Sequence, residues 1–320
     1  APAYLKTDSY GEFIFDWAWA DFHHRNGVPY YPKLVVGVPF TPVTGPRILL
    51  APDCPDLAEA ERLLASALLA LAARLDASSV HWLFTTAAEA ERLGGLGYTP
   101  RLSTQNMWLD AGYGDFAGFL GAMRASARKG IRRERRLANG HGLHIEVCRG
   151  SQMDAEQWAA VQRFYRSGCA AYGSHPYLSE AMFEWIRDHF AERVVCTLAR
   201  STGPAGEWMA GTLNFHKGRH LYGRYWGTDA NLDCLHFEMA YYRLIEHCLE
   251  QGWTRFEAGA GGQHKVKRGL TAQFTHSAHR ILRPAFAQVI DEHIGREAEH
   301  LRAVVAASAA RGCFRREHQA

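Results

Sequence analysis

Apolar and polar positions along the first 112 residues follow the helical period in some stretches and the strand period in others. Residues 57–75 place leucines on one side of a helix behind the N-cap Asp56, and Gly94 and Gly95 end a shorter helix at 87–93. The aromatic stretch 12–19 suits a strand or an aromatic wall. Further short strands are predicted at 34–40, 47–50, 80–85 and 104–109. The first part of the chain is therefore predicted to be α/β.

The pattern after residue 113 predicts a basic helix, an antiparallel meander and a parallel crossover. The helices that we expect span 115–138, 154–172, 179–190, 236–251 and 284–309. The strands that we expect span 143–148, 194–200, 208–216, 220–226, 253–257 and 274–282. This order predicts an α/β sheet that is opened in its middle. We place one domain at 1–112 and a second at 113–320, which includes the basic helix and the C-terminal helix.

Composition narrows the function classes. Hydrophobic residues make up 47% of the chain and charged residues 22%, which is typical of a globular protein, and a net charge of +3 does not by itself indicate a nucleic-acid binder. The seven cysteines include no C-x-x-C pair, which favours a reducing, cytoplasmic compartment. No apolar run approaches the length of a membrane span, and the 17 histidines lack metal-ligand spacing, so we expect no metal.

The segment 256–269 is the strongest candidate for a functional site. Glycines at 259, 261 and 262 allow sharp bends and a close approach of a ligand to the backbone. Between and beside them lie a carboxylate, an imidazole and two ammonium groups: Glu257, His264, Lys265 and Lys267. The alternative interpretation is a surface turn between two strands. Because titratable residues border the glycines, we favour a site. We expect the loop 257–267 to form the floor of the largest polar cleft, with Glu257, His264 and Lys265 within reach of a hydrogen bond or of one bridging water.

Two further groups of residues are candidates for ligand contact. The basic helix carries seven Arg or Lys and one Glu between 124 and 136, and such a run is either a solvated face or an anion site. Helical spacing places Arg128, Lys129, Arg132 and Arg136 mostly on one face, which we expect to line or to lie near a cleft between the two halves. On a strand, Arg224 stands among aromatic residues that contact a ligand or form a core wall.

Several motifs resemble the FemAB-like, peptidoglycan-biosynthesis-type acyltransferase family of the GNAT superfamily. The motifs that carry the resemblance are SYGEF at 9–13, DWAWA at 16–20, PFTPVTGPR at 39–47, KGIRRERR at 129–136, YGRYWG at 222–227, HFE at 236–238, YY at 241–242 and FEAGAGGQHK at 256–265. The resemblance covers nearly the whole chain. It implies two tandem GNAT-like halves, the first of them incomplete at its N-terminus. Gln263 departs from the family, where a glutamate usually precedes the His-Lys pair.

The resemblance also implies an activity. The expected reaction is transfer of an acyl or aminoacyl group from acyl-CoA or aminoacyl-tRNA to the amine of a small molecule or peptide, without a metal. Glu257 and His264 are the base candidates, and Lys265 is the candidate for oxyanion stabilisation, with Lys267 as the alternative lysine. For Glu257, a purely structural role at a strand end is equally open. Residues expected to bind the substrate or donor are Arg224, Tyr225, Gly259, Gly261, Gly262, Lys267, Arg128, Lys129 and Arg132.

Two other functions compete with this hypothesis. One is a non-catalytic module that binds tRNA or a nucleotide through the basic helix, and the other is an inactive scaffold of the same fold. The first predicts salt-sensitive RNA binding that survives mutation of the glycine-rich loop. The sequence does not distinguish the donor, the acceptor amine or the oligomeric state.

Overall fold

The computed structural model describes residues 1–171, 173–203, 206–259 and 262–315. Its strands are β1 (Ala3–Lys6), β2 (Lys33–Val36), β3 (Ser79–Thr85), β4 (Thr99–Leu109), β5 (Leu143–Arg149), β6 (Val194–Ser201), β7 (Trp208–Lys217), β8 (His220–Thr228), β9 (Arg255–Glu257) and β10 (Thr271–Ile281). Its α-helices are α1 (Trp17–Arg25), α2 (Leu57–Arg74), α3 (Ala87–Gly95), α4 (Phe116–Gly121), α5 (Ala125–Asn139), α6 (Ala155–Ala171), α7 (Glu180–His189), α8 (Leu235–Phe237), α9 (Arg243–Glu250), α10 (Gln263–Val266) and α11 (Pro284–Arg311). A π-helical turn, Glu238–Tyr242, joins α8 to α9.

The chain forms two compact units whose bounds differ from the predicted domains. One unit comprises residues 1–104 and 273–306, and the other comprises residues 105–272 and 307–320. The C-terminal helix, which we expected in the second domain, packs largely with the first unit. The reason is strand pairing: β10 lies antiparallel to β3, so the chain re-enters the first unit before α11 begins.

The first unit is built on four strands in the order β1-β2-β3-β10. Strands β2 and β3 are parallel, while β1 and β10 pair antiparallel with them. All seven residues of β3 are buried, as is typical of a strand with neighbours on both edges. Helix α2 packs Leu68 and Ala72 into this core, and the predicted cap is confirmed because Asp56 accepts a hydrogen bond from the Glu59 amide at 2.9 Å.

The second unit orders its strands β4-β9-β8-β7-β6-β5. Strands β5 to β8 form the predicted antiparallel meander. Strand β9 then lies parallel to β8, so the predicted crossover through the helix at 236–251 is confirmed. The core beneath β9 is apolar and aromatic, and includes Trp108, Phe119 and Phe256.

Residues 47–50, predicted as a strand, and residues 12–19, for which a strand was one of two alternatives, do not form strands. Residues 12–19 lead into helix α1, and Asp16 turns its carboxylate inward instead of joining a ladder. Residues 47–50 form no strand because their amides have other partners. The Glu89 carboxylate accepts hydrogen bonds from the amides of Arg47 and Ile48, at distances of 2.7 to 3.0 Å.

The single basic helix predicted at 115–138 is two helices, α4 and α5. The break lies at residues 122–124, where the Arg124 amide donates to the Cys313 carbonyl at 2.8 Å and Met123 forms a bridge with Phe314. The C-terminal segment thus forms hydrogen bonds with backbone groups that would have bonded within a continuous helix. This contact joins residues far apart in the chain, which a local sequence pattern does not report.

The interior of the first unit holds an unusual number of titratable groups. The Lys33 ammonium is fully buried and donates to Ser9 at 2.7 Å, to Glu12 at 2.8 Å and to Asp16. Nearby, the Nδ1 atoms of the buried side chains of His81 and His279 lie 2.7 Å apart. Burial strongly lowers the pKa of four histidines in the two units: His81, His236, His247 and His279.

We expect the free energy of unfolding to fall as the pH is lowered from about 6.5 towards 4.5. These four histidines stay neutral when folded but take up protons when unfolded, where a histidine titrates near 6.5, so acid favours unfolding by up to about 1.4 kcal/mol per pH unit for each. Glu12 and Glu257 act oppositely because burial raises their pKa, but they are fewer. Urea unfolding between pH 7 and 4.5 measures the slope. His279→Asn should reduce it by about one proton, and His24→Gln, at an exposed position, should not. A stability that is flat or that rises on acidification would contradict this expectation.

Candidate active site

The site lies where two parallel strands part. Strand β8 pairs with β9 at three positions, the last being Tyr222 opposite Glu257, and β8 then continues to Thr228 while β9 ends. After Glu257 the chain turns towards Asn106: the Ala258 amide donates to the Asn106 carbonyl at 3.0 Å. The strands therefore leave each other at Glu257. Carboxyl ends of parallel strands that diverge are a common place for a ligand.

Gly223 permits the close approach of the strands just before they part. A Cβ atom at this position would lie 2.9 Å from the Phe256 ring and 3.2 Å from the Glu257 carbonyl oxygen. Any side chain here would push β8 away from β9. The glycine in the motif at 222–227 is thus required by packing at the start of the opening.

Glu257 has the properties of a general base. Its side chain is buried, with the residue 5% exposed, and its Oε2 atom has no hydrogen-bond partner within the described part of the chain. The nearest cation is the Arg255 guanidinium at 3.9 Å. Burial raises the pKa of this carboxyl to about 7, and Arg255 opposes the rise. A carboxyl that titrates near neutrality is matched to proton abstraction at physiological pH.

Lys265 lies on α10 and closes the loop that follows Glu257. Its ammonium donates to the carbonyl oxygens of Ala258 at 2.7 Å and Gly259 at 3.2 Å, and the residue is 7% exposed. Burial lowers the pKa of this ammonium to about 8. The structure therefore brings the Lys265 ammonium to the backbone carbonyls of the two residues after Glu257. Convergence of the Lys265 and Glu257 side chains stays a prediction. Gly261 lies outside the described residues.

His264 faces an aromatic group rather than the carboxylate. Its Nε2 atom lies 3.3 Å from the Tyr241 hydroxyl, and its ring centroid is 5.8 Å from that of Phe237. Partial burial, and then the charges of Arg268 and Lys265, lower the pKa of His264 below its usual range, which favours the neutral imidazole. A neutral imidazole beside a phenol can pass a proton. Gly262 begins α10 with φ +87°, and a Cβ there would lie 2.6 Å from the His264 ring.

Tyr241 and His236 were missed by our sequence analysis. Tyr241 reaches His264 from the π-helical turn, a distortion often found at functional sites. His236 lies between Trp226 and Tyr241, with ring centroids at 5.2 and 5.3 Å, and burial lowers its pKa to about 4. The signal available in the sequence was the run of aromatic residues at 236–242, which we used only as part of a predicted helix and as motifs of the family resemblance.

Arg224 and Tyr225, which we expected to bind the donor or the substrate, contact each other. The Arg224 guanidinium stands 5.0 Å above the Tyr225 ring centroid and donates to its hydroxyl at 3.4 Å. Tyr225 packs edge-on against Tyr165 of α6, with centroids 4.6 Å apart. It therefore contributes to the core on that side of the sheet. Their assignment to donor or substrate binding stays a prediction.

A cavity of about 380 Å³ lies beside the segment that follows α10. Its lining comprises one side of α5, the residues after Lys265 and the C-terminal segment: Arg124, Ser126, Ala127, Gly130, Ile131, Glu134, Val266, Lys267, Arg268, Gly312 and Cys313. Lys267 borders it, whereas the three residues that we expected at the floor of a cleft, Glu257, His264 and Lys265, do not. The loop therefore presents its two lysines to different surroundings.

Apart from Arg124 at its N-cap, the cations of α5 do not line this cavity. Arg128 donates to the Met123 carbonyl at 2.5 Å, and none of Arg128, Lys129, Arg132 and Arg136 lines the cavity. Four exposed cations have no hydrogen bond or ion pair with any residue that the structure describes: Lys129, Arg132, Arg133 and Arg136. Unpaired positive charge concentrated on one helix favours an anionic partner.

Neither a metal centre nor a membrane span emerges from the described residues. No group of three or more His, Cys, Asp or Glu side chains within them is arranged to hold a metal ion. No helix in this part of the chain combines the length and the apolar character needed to cross a membrane.

The fold of this chain is similar to that of several solved structures. The chain is similar to FemX, at 14% identity over 82% of this chain and 85% of FemX, with a TM-score of 0.51. It is also similar to L-PGS from Bacillus licheniformis, at 13% identity over 73% of this chain and 78% of that one, with a TM-score of 0.50. At such identities the likeness shows the fold alone, which confirms the predicted FemAB-like α/β architecture.

The family assignment comes from a match to sequence models. A comparison with curated proteins gave no match. The model of the FemAB-like family, described as peptidoglycan biosynthesis and recognition, matches residues 1–316. Because that match spans nearly the whole chain, this protein belongs to the FemAB-like family.

Proposed function

We propose that this protein is an N-acyltransferase that moves an acyl or aminoacyl group from acyl-CoA or aminoacyl-tRNA to an amine. Membership of the FemAB-like family supports an acyltransferase. The observation that carries the finer proposal is the Glu257 carboxyl, which is buried where β8 and β9 part. One of its oxygens has no hydrogen-bond partner among the described residues, and burial raises its pKa to about 7. The loop and helix α10 that follow it in the chain supply an ammonium, Lys265, and an imidazole, His264.

The chemistry assigns a role to each group. The acceptor amine is protonated in water, so Glu257 removes one proton to free its lone pair. The amine nitrogen then forms a bond to the donor carbonyl carbon, and the carbonyl oxygen gains negative charge that Lys265 or loop amides stabilise. Collapse of this intermediate breaks the bond to the thiolate of CoA or to the ribose oxygen of tRNA. The nitrogen of the intermediate still carries one proton more than an amide, and the leaving group takes up one proton. In this proposal the Tyr241–His264 pair, whose hydroxyl oxygen and Nε2 lie 3.3 Å apart, relays that proton from the nitrogen to the leaving group.

The four exposed cations of α5, which have no hydrogen bond or ion pair with a described residue, support a donor with many phosphates, but they also favour a second candidate function. In that alternative the protein binds RNA through α5 without catalysis. Removal of these cations would weaken binding and flatten its salt dependence in both cases, because each phosphate contact contributes to that dependence. The two functions differ in whether an amide product forms.

The test is direct product formation. We expect the purified protein, given labelled acetyl-CoA or aminoacyl-tRNA and a panel of peptide and small-molecule amines, to form an amide that mass spectrometry identifies. Mass spectrometry of the untreated protein for co-purified acyl-CoA, tRNA or nucleotide would identify the donor class. The control is Glu257→Gln, which keeps the shape of the side chain but removes the base. RNA binding without product from either donor, at equal levels in both proteins, would favour the non-catalytic alternative.

A further inference from the structure

The basic helix α5 contains a single acidic residue, Glu134. Glu134 lies on α5 among arginines, and its side chain is 24% exposed. Its Oε1 and Oε2 atoms accept from the Arg268 guanidinium at 2.7 and 3.0 Å. Oε2 also accepts from the Tyr242 hydroxyl. Both carboxylate oxygens are therefore committed, and the group does not serve as a solvated counter-charge for the helix.

The first arm from Glu134 leads to His264. Arg268, held by the carboxylate, donates its remaining Nη1 to the His264 carbonyl at 2.7 Å. Its guanidinium also lies 3.4 Å above the Phe237 ring. The arginine is almost fully buried, so these contacts fix the end of α10 against α5. The backbone that carries His264 and Lys265 is thus tied to Glu134 through one side chain.

The second arm leads to Tyr241. Tyr242 donates its hydroxyl to Glu134 from the π-helical turn, and Tyr241 is the preceding residue of that turn. The Tyr241 hydroxyl lies 3.3 Å from His264 Nε2. One carboxylate therefore anchors both partners of this contact, each through a single intermediate residue.

We propose that Glu134 is a positioning residue, which holds Tyr241 and His264 together by anchoring the π-helical turn through Tyr242 and α10 through Arg268. The catalytic consequence rests on the proposed acyl transfer. Without Glu134, the two elements lose their shared anchor, and the proton-carrying pair and the Lys265 loop drift apart. Small misplacements of reacting groups cost rate rather than affinity.

A matched control exists on the same helix pair. Glu246 of α9 also accepts from an arginine of α5, Arg135, at 2.8 and 3.3 Å, and its side chain is 27% exposed. Among the described residues its hydrogen-bond and ion-pair partners are Arg135 and Arg243, and neither Tyr242 nor any residue of α10 is one of them. Glu134→Gln and Glu246→Gln thus each remove one carboxylate charge from an arginine pair that involves α5, and only the first touches the proposed anchor.

Kinetics and NMR together test the proposal. We expect Glu134→Gln to lower kcat about 10-fold with KM for the donor nearly unchanged, and Glu246→Gln to leave both near wild type. The effects of Glu134→Gln and Arg268→Lys on kcat should not add, because both act through the same link. With selectively labelled rings, the nuclear Overhauser contact between Tyr241 and His264 should disappear in Glu134→Gln and persist in Glu246→Gln.

Two outcomes would overturn the proposal. It falls if Glu134→Gln and Glu246→Gln reduce kcat equally, or if the ring contact survives in Glu134→Gln. Should Glu134→Gln not fold, Tyr242→Phe removes the second arm alone and is expected to weaken the ring contact, so an unchanged contact there is equally decisive against it. If the wild type transfers no acyl group, the proposed function fails, and the NMR comparison still decides whether Glu134 positions the pair.

Discussion

Replacing Glu257 by glutamine is expected to lower the rate of amide formation by about 100-fold or more, because general bases typically contribute this much. The substitution keeps the size and one oxygen of the side chain but removes the atom that accepts the proton. Since Oε2 of Glu257 has no hydrogen-bond partner among the described residues, the variant loses no such bond at that atom. We expect folding, measured by thermal unfolding, to stay close to wild type. Single-turnover kinetics at saturating donor would isolate the chemical step.

The pH dependence gives an independent check on Glu257. Its pKa is about 7, so the carboxyl is protonated below this value and the wild-type rate should rise as the pH passes through 7. The pKa of Lys265 is about 8, so loss of its proton should lower the rate above that pH. Glu257→Gln should lose the acidic limb, whereas Glu250→Gln, which changes an exposed carboxylate, should keep it. An acidic limb that persists in Glu257→Gln would assign the base elsewhere.

Much of the second unit could be predicted from sequence because its signals are local. The meander of β5 to β8 follows from alternation and short turns, and the crossover to β9 follows from a helical stretch that a glycine ends. The π-helical turn within that helix has no such signal. Its inward-facing tyrosines are fixed by contacts with α5 and α10, which are distant in sequence.

The failures share one physical cause. Backbone groups that a local pattern assigns to a strand or helix instead form hydrogen bonds with residues far away in the chain. Glu89 takes the amides of Arg47 and Ile48, and the Cys313 carbonyl takes the amide of Arg124. In each case the long-range hydrogen bond satisfies the backbone as well as regular structure would, so the local preference is overridden. The return of β10 to the first unit is the same effect at the scale of a strand.

In the candidate site, too, the features with a local signal could be predicted and those that depend on distant residues could not. Glycines beside Glu257, His264 and Lys265 pointed to the loop, and the structure brings Lys265 to the carbonyl groups after Glu257. The anchor through Glu134 and Arg268 could not be predicted, because these residues are 134 positions apart and neither stands out by type. The separation of Lys265 from Lys267 was equally hidden, since a short helix decides which side chain turns inward.

The choice between the two lysines is the sharpest remaining test of the site. Lys265→Ala is expected to lower turnover about 10-fold to 1,000-fold, as loss of a group that stabilises an oxyanion does. The buried ammonium of Lys265 sits against the loop after Glu257, whereas Lys267 is exposed at the rim of the cavity beside α5. Lys267→Ala should therefore raise KM for a phosphate-bearing donor more than it lowers kcat. Lys217→Ala, at an exposed turn, is the control for charge.

Because Lys265 also bonds the loop carbonyls, its removal could act by releasing the loop. Lys265→Met controls for the lost volume of the side chain, and hydrogen exchange of the loop amides reports whether the loop is released when the bonds to its carbonyls are lost. If Lys265→Met and Lys265→Ala are equally slow while thermal unfolding and hydrogen exchange of the loop are unchanged, the ammonium acts on the reaction. If Lys265→Ala leaves acyl transfer intact and Lys267→Ala abolishes it, the reacting carbonyl lies at the α5 cavity, and the loop after Glu257 only supports it. If both Lys265→Ala and Lys267→Ala keep full acyl-transfer activity, the assignment of the site to the segment 256–269 is wrong.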